Sequence, residues 1–212
     1  MQKLVFNLLR DIFYAISIIA IAVLGVLNVT VVYRYVIHKY ELNNYTGLST
    51  DILMDNYKRI IYYVQNPLNN ELVLNKLPMS SFGKIHFYEV KQIFIFLYTI
   101  SIIFIVIMIF KIINNKNNNL GKMLIKSFNN SVNIITVIFI SVSIMVVMDF
   151  SKTFYFFHKI FFRNDYWIFD SVTDPIINAL PEELFMIELI LVLSLLVIFT
   201  LVIKVIHLKN KD

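Results

Sequence analysis

The sequence contains no cysteine among its 212 residues, and this absence excludes several kinds of chemistry. Without a thiol there is no disulfide, no cysteine nucleophile and no cysteine-ligated zinc or iron–sulfur centre. The chain also cannot carry a thioether-linked lipid of its own. Any reaction that the protein catalyses must therefore depend on other side chains.

Charged residues are also scarce, at 16% of the chain against about 25% in an average soluble domain. Hydrophobic residues make up 58%, well above the usual share of about 45–50%, and the mean hydropathy is +0.73. The composition therefore predicts an integral membrane protein. The net charge of +5 is not arranged as a basic stripe with interleaved aromatic residues, so we expect no nucleic-acid partner.

Four apolar stretches are long enough to cross a bilayer, which requires about 20 helical residues. They cover about residues 12–37, 90–110, 132–150 and 184–206. Basic residues are concentrated before the first stretch, between the second and third, and after the fourth: Lys3, Arg10, Lys111, Lys116, Lys122, Lys126, Lys204, Lys209 and Lys211. By the positive-inside rule, both termini are cytoplasmic and the segments 38–89 and 149–183 are extracellular. We predict one membrane domain over residues 1–212, a mainly α four-helix transmembrane bundle.

The first outer segment contains two patterns of secondary structure. Ser49, Thr50 and Asp51 are typical of a helix start, and apolar residues then recur at helical spacing as far as Asn66-Pro67. The stretch Glu71 to Leu77 is short and partly alternating, which favours a strand or hairpin arm. The sequence thus predicts a small extracellular cap of mixed α/β structure.

Two of the four histidines, His86 and His158, lie just outside the second and third apolar stretches, among aromatic residues. Two imidazoles at a membrane interface suit acyl chemistry. A neutral histidine can take a proton from an amine or water while a second group stabilises the developing oxyanion. The alternative is that both histidines belong to the aromatic belt of the interface, and spacing alone favours that interpretation.

The second outer segment places polar groups beside an apolar surface: Arg163, Asn164, Asp165, Trp167 and Asp174. An interfacial enzyme acting on a lipid needs aromatic side chains for acyl chains and polar groups for a headgroup or ester. An ordinary solvated loop has the same composition. Composition alone leaves both interpretations open.

Two motifs in the outer segments resemble the bacterial lipoprotein intramolecular transacylases. His86 is followed by Glu89-Val90-Lys91, where an aspartate is more usual in that family than Glu89. The second motif comprises Phe157-His158, Phe161-Phe162, Asn164, Trp167, Asp174, Pro181 and Phe185. The resemblance covers essentially the whole chain. It implies transfer of the sn-2 acyl chain of a diacylglyceryl-modified lipoprotein to the α-amino group of its N-terminal cysteine, which gives a lyso-form lipoprotein.

The resemblance also implies where the reaction occurs and which residues take part. The site would lie at the outer leaflet of the bacterial plasma membrane, in contact with membrane lipid, and would need no metal or other cofactor. We hypothesise that His86 is the general base, oriented by Glu89, and that His158 polarises the ester carbonyl with Arg163 or Asn164 nearby; the two histidines could exchange roles. The remaining supporting or substrate-binding candidates are Asp165, Trp167 and Asp174, of which the last two suit a scaffold.

Two other functions stay open at this point. Glu182-Glu183 together with the two histidines suggests a metal-dependent intramembrane protease, although Ile187 stands where the pattern of such proteases has an arginine. A small transporter or an accessory subunit is the non-enzymatic alternative. The apolar stretches contain no ionisable residue deep in the membrane, which argues against an ion pathway. A non-enzymatic scaffold remains compatible with the sequence.

Overall fold

The structure, a computed structural model, describes residues 2–115 and 120–210 and is helical. Its elements within those ranges are α1 Gln2–Leu27, α2 Val31–Lys39, α3 Leu42–Thr46, α4 Thr50–Gln65, α5 Ser81–Ile113, α6 Leu120–Met148, α7 Phe150–Phe161, a 3₁₀ helix Pro175–Asn178, and α8 Glu182–Lys209. Two of the basic residues used for the orientation, Lys116 and Lys211, lie outside the described residues.

Four helices are long and apolar enough to cross a membrane, namely α1, α5, α6 and α8. The prediction of four membrane-spanning helices is thereby confirmed. Helix α5 has 33 residues, more than the roughly 20 that a bilayer requires. Its first turns, which carry His86, therefore precede the apolar stretch predicted at residues 90–110.

The first apolar stretch differs from its prediction, because residues 12–37 do not form one continuous helix. Helix α1 ends at Leu27 and α2 begins at Val31. At the break, the Val29 amide donates to the Val26 carbonyl over 2.8 Å, and the Thr30 amide donates to the Asn28 carbonyl over 3.0 Å. Asparagine and threonine have low intrinsic helix propensities, which favours a break at such a position.

The expectation of a strand at residues 71–77 is wrong, and residues 2–115 and 120–210 contain no strand. Instead, the side chain of Asn56 on α4 brackets the backbone of Asn75. Its Oδ1 accepts from the Asn75 amide over 2.5 Å, and its Nδ2 donates to the Asn75 carbonyl over 2.9 Å. At Asn75, these bonds satisfy the backbone groups that a neighbouring strand would otherwise pair. Helix α4 itself confirms the predicted amphipathic helix, with Ser49 accepting from the Ile52 amide at its start.

The chain divides into two compact units, of which the first comprises the described parts of residues 1–24, 97–147 and 190–212. Tyr14 is buried there with its ring edge against Phe104, at a centroid distance of 5.3 Å. The Asp11 carboxylate is also buried; it pairs with Arg10 at 2.7 Å and accepts from Asn130 at 2.8 Å. A buried charge needs such partners. The single domain over residues 1–212 stays a prediction.

The second unit comprises residues 25–96 and 148–189 and contains every candidate site residue. In its core, the rings of Tyr33 and Tyr57 stack at 4.3 Å. The Tyr33 hydroxyl donates to the Ala179 carbonyl over 2.8 Å, and the Tyr57 hydroxyl donates to Glu188 Oε1 over 2.7 Å. These bonds join α2, α4, the start of α8 and the segment after the 3₁₀ helix. The candidate site is therefore built on packed helices, which hold side chains more tightly than loops do.

Candidate active site

The two histidines singled out in the sequence lie next to each other in the second unit. His86 on α5 and His158 on α7 have ring centroids 6.0 Å apart. Both side chains are buried, at 7% and 8% exposure. Phe162 packs against both rings, at 4.8 Å from His86 and 5.5 Å from His158. The structure thus brings together two residues that are 72 positions apart in the chain.

Helix α7 fixes the hydrogen-bonding state of His158. Asp149 caps the helix by accepting from the Lys152 amide over 2.9 Å. His158 Nδ1 lies 2.7 Å from the Phe154 carbonyl oxygen, one turn earlier. Because a carbonyl only accepts, Nδ1 must carry the hydrogen of this bond. In the neutral ring, the lone pair is then on Nε2, so His158 is arranged as a proton acceptor at that atom.

Burial keeps both imidazoles neutral at pH 7. It lowers the pKa of His86 to about 4, and the neighbouring His158 adds to this effect. Burial also lowers the pKa of His158 below 6.5, although the bond to the Phe154 carbonyl and the charge of Glu182 oppose it. A neutral imidazole has one ring nitrogen that accepts and one that donates. The pair can therefore supply a base and a neutral hydrogen-bond donor together.

Aromatic side chains surround the two imidazoles. The indole of Trp167 lies over His158 at 4.6 Å, and Phe154 lies 4.3 Å from the same ring. Phe169 meets His86 edge-on at 5.5 Å. Trp167 Nε1 donates to the Asn164 carbonyl over 3.0 Å, which fixes the indole in place. Trp167 thus forms one wall around His158, and its role as scaffold stays a prediction.

Glu89 and Asn164 are joined by a direct hydrogen bond. Asn164 Nδ2 donates to Glu89 Oε1 over 2.7 Å, and Asn164 Oδ1 accepts from the Tyr166 amide over 3.0 Å. The second bond fixes which end of the amide faces the carboxylate. The structure shows no hydrogen bond between Glu89 and His86 by which the carboxylate would orient this ring. Among the described residues, His86 Nδ1 and Glu89 Oε2 are buried without a hydrogen-bond partner.

Asp174 is buried, at 3% exposure, against the start of α5. Its Oδ1 accepts from the Ser80 amide over 2.8 Å, and its Oδ2 accepts from the Thr173 hydroxyl over 2.9 Å. Ser80 Oγ in turn accepts from the Gly83 amide over 3.0 Å. A carboxylate at a helix N-terminus satisfies free amides and suits the helix dipole. Asp174 thereby holds the N-terminal end of α5, the helix that carries His86 in its second turn.

Sequence reasoning missed Gly83, which allows Asp174 to approach the helix. A Cβ atom at this position would lie 2.3 Å from Asp174 Oδ1, closer than non-bonded atoms can approach. The available signal was weak. It consisted of a glycine three residues after a serine at the start of an apolar helix, in a chain with only four glycines.

The remaining candidates are not buried with the two imidazoles. Asp165 pairs with Lys159 at 2.5 Å, and both side chains are more than 40% exposed. Such a surface ion pair contributes little stability. Arg163 is exposed.

The structure offers no support for the protease alternative. No group of three or more His, Asp or Glu side chains in the described part of the chain is placed to hold a metal ion. Glu182, which suggested a metal-dependent protease, accepts a hydrogen bond from Ser151 over 2.5 Å. This glutamate is instead close enough to His158 for its charge to influence the pKa of that ring.

Comparisons with known proteins agree on one family. The model of the lipoprotein intramolecular transacylase Lit family matches residues 8–185. The chain is similar to an in meso structure of the membrane integral Lit from Bacillus cereus, with 27% identity, 99% of this chain and 97% of that chain covered, and a TM-score of 0.84. Two further structures of that protein, carrying a histidine-to-arginine or a histidine-to-alanine substitution, match with 27% and 29% identity. For both, the TM-score is 0.74 and the match covers 99% of this chain. It covers 93% of the first of those chains and 95% of the second. No curated protein matches significantly.

Proposed function

Because the chain belongs to the lipoprotein intramolecular transacylase family, we propose that it moves the sn-2 acyl chain of a diacylglyceryl lipoprotein to the α-amino group of its N-terminal cysteine. The protein is a multi-pass membrane acyltransferase, and its product is the lyso-form lipoprotein. The observation that carries the mechanism is the pair of buried neutral imidazoles 6.0 Å apart, one of which has its lone pair fixed on Nε2.

In this mechanism, His158 moves the protons. Its Nε2 takes a proton from the substrate ammonium, and the free amine attacks the ester carbonyl carbon. The new bond joins nitrogen to carbon, and the bond from carbon to the sn-2 oxygen breaks. Of the two protons that the ammonium loses, one goes to the leaving oxygen and the other to water. The Nδ1 bond to Phe154 keeps the ring oriented throughout.

His86 acts as the electrophile by donating a ring N–H to the oxyanion of the tetrahedral intermediate. A neutral imidazole suits this task, and burial holds the pKa of His86 near 4. These assignments exchange the roles hypothesised from the sequence. Because donor ester and acceptor amine belong to one substrate, holding them together gives a large effective molarity. The chain's own residues then only orient the groups, move protons and stabilise charge.

We place the site at the outer leaflet, which the distribution of basic residues supports. The cysteine-free chain allows a direct test by single-cysteine labelling. Tyr45→Cys, at a side chain with 76% exposure, should react with a membrane-impermeant maleimide in intact cells. Asn114→Cys, at an exposed position after α5, should react only after lysis. The opposite labelling pattern would reverse the orientation.

Mass spectrometry of a lipoprotein's N-terminal lipopeptide tests the reaction itself. The chain is expressed in bacteria that lack lipoprotein N-acylation. One acyl chain should move from glycerol to the cysteine nitrogen at unchanged total mass, because the transfer is intramolecular. An unaltered diacylglyceryl lipopeptide, with the chain present in the membrane, would instead favour a non-enzymatic scaffold. The same strain without the chain is the control.

A further inference from the structure

Two buried polar atoms belong to side chains one turn apart on α5. Glu89 Oε2 and His86 Nδ1 have no hydrogen-bond partner in the described part of the chain. Residues three apart on a helix are neighbours on its surface. Buried polar atoms are nearly always paired in native proteins, so two unpaired ones on residues one helical turn apart require an explanation. A ligand with several N–H donors would satisfy both.

The Glu89 carboxylate is held ready for such a ligand. Asn164 Nδ2 occupies Oε1, and Asn164 is itself fixed through the Tyr166 amide and the Trp167 indole. One carboxylate oxygen is thus anchored, and the other is left to accept. A side chain with its orientation locked by a second layer of hydrogen bonds is typical of a binding site.

We propose that Glu89 Oε2 binds the α-ammonium of the lipoprotein's N-terminal cysteine, with His86 Nδ1 accepting a second N–H. This inference rests on the proposed acyl transfer and names the residues that recognise the amine. A primary ammonium has three N–H donors, so the third remains available to His158 Nε2, the proposed base. Charge-assisted bonds of this kind are stronger than neutral ones.

The assignment also gives Glu89 and His86 complementary tasks. When Nδ1 of His86 accepts, the ring proton is on Nε2, where it can be donated to the oxyanion. Glu89 selects a cationic amine, whereas a glutamine at this position would keep an acceptor for Asn164 without the charge. The Glu89→Gln substitution therefore separates recognition of the ammonium from the structural bond to Asn164.

The test compares two probes that cannot react, because ether bonds replace their esters. One is a diether lipopeptide with a free α-amine, and the other lacks only that amine. Binding to the purified full chain in lipid nanodiscs is followed through Trp167, the single tryptophan, which lies against His158. We expect the wild type to bind the amine probe about tenfold more tightly or better. Glu89→Gln should bind both probes about equally.

Glu71→Gln is the matched control, because it removes the same charge from a side chain with 70% exposure, and it should keep the wild-type preference. An unchanged preference in Glu89→Gln, or no preference in the wild type, overturns the proposal. If Glu89→Gln does not fold, Glu89→Asp decides, since it keeps the charge: a retained preference supports the carboxylate and a lost one refutes it. Because neither probe can react, the binding preference is measured without acyl transfer. A failure of the mass-spectrometric test and a failure of this binding test can therefore be told apart.

Discussion

Replacing His158 with alanine is expected to lower the rate of acyl transfer by about 10²–10⁴-fold, the usual contribution of a general base. The Nε2 lone pair of this ring is the proposed proton acceptor, and the bond from Nδ1 to Phe154 fixes that tautomer. Alanine removes both. The measurement is the initial rate of acyl migration in a synthetic diacylglyceryl lipopeptide, with the purified chain in lipid.

His38→Ala is the matched control, because this histidine is exposed in the same compact unit. Its rate should equal that of the wild type. Near wild-type activity of His158→Ala, at equal amounts of folded protein, would remove His158 from the mechanism. Reduced activity in both variants alike would indicate a general effect on the membrane-embedded protein.

The same assignment fixes the pH dependence of the wild-type rate. The neutral base is the active form, so activity is lost as pH falls through the folded-state pKa of His158. Burial lowers this pKa below 6.5, while the Phe154 carbonyl and Glu182 oppose the shift. The acid limb of the rate profile should therefore lie below pH 6.5. Phe162→Ala removes the ring that packs against both His86 and His158. The lost burial should move the acid limb of the rate profile towards pH 6.5.

Those parts of the fold that depend on local pattern were predictable from the sequence. The four membrane helices follow from long apolar runs, and α4 follows from helical spacing between Ser49 and Asn66. The strand expected at residues 71–77 was wrong, and within this segment the amide and carbonyl of Asn75 bond to the side chain of Asn56, 19 residues earlier. Such a partner, distant in sequence, leaves no periodic signal.

The candidate site shows the same division between local and long-range information. Residue type and resemblance singled out His86 and His158, but their distance depends on how α5 and α7 pack. The roles of the rings also depend on structure, since the Phe154 carbonyl and the burial of both imidazoles decide which ring accepts. Glu89 was expected to contact His86, yet its bond goes to Asn164, 75 positions later.

Gly83→Ala is expected to reduce acyl transfer by about 100-fold, the effect that a displacement of about 1 Å has on a reacting group. The added Cβ would lie 2.3 Å from Asp174 Oδ1 and 3.1 Å from Asp174 Cγ. The carboxylate cannot simply move away, because the Ser80 amide and the Thr173 hydroxyl hold it. The start of α5 must shift instead, and His86 lies one turn further along that helix. The measurement is the same initial-rate assay.

Gly25→Ala and Gly121→Ala are matched controls, because a Cβ at either position meets nothing within 4 Å. All three glycines are in helices, where alanine raises the intrinsic helix propensity by about 1 kcal/mol. The two controls should therefore be as stable as the wild type or more so. A loss confined to Gly83→Ala isolates the contact with Asp174.

The double variant Gly83→Ala/Asp174→Ala distinguishes a clash from a general defect. Removing the carboxylate relieves the contact with the new Cβ, so the two substitutions should be non-additive. The double variant should then be no less active than Gly83→Ala alone, although Asp174→Ala by itself also weakens the start of α5. Additive losses would mean that Gly83 and Asp174 act separately. Gly83→Ala with the activity of Gly25→Ala would mean that α5 tolerates the methyl group without displacing His86.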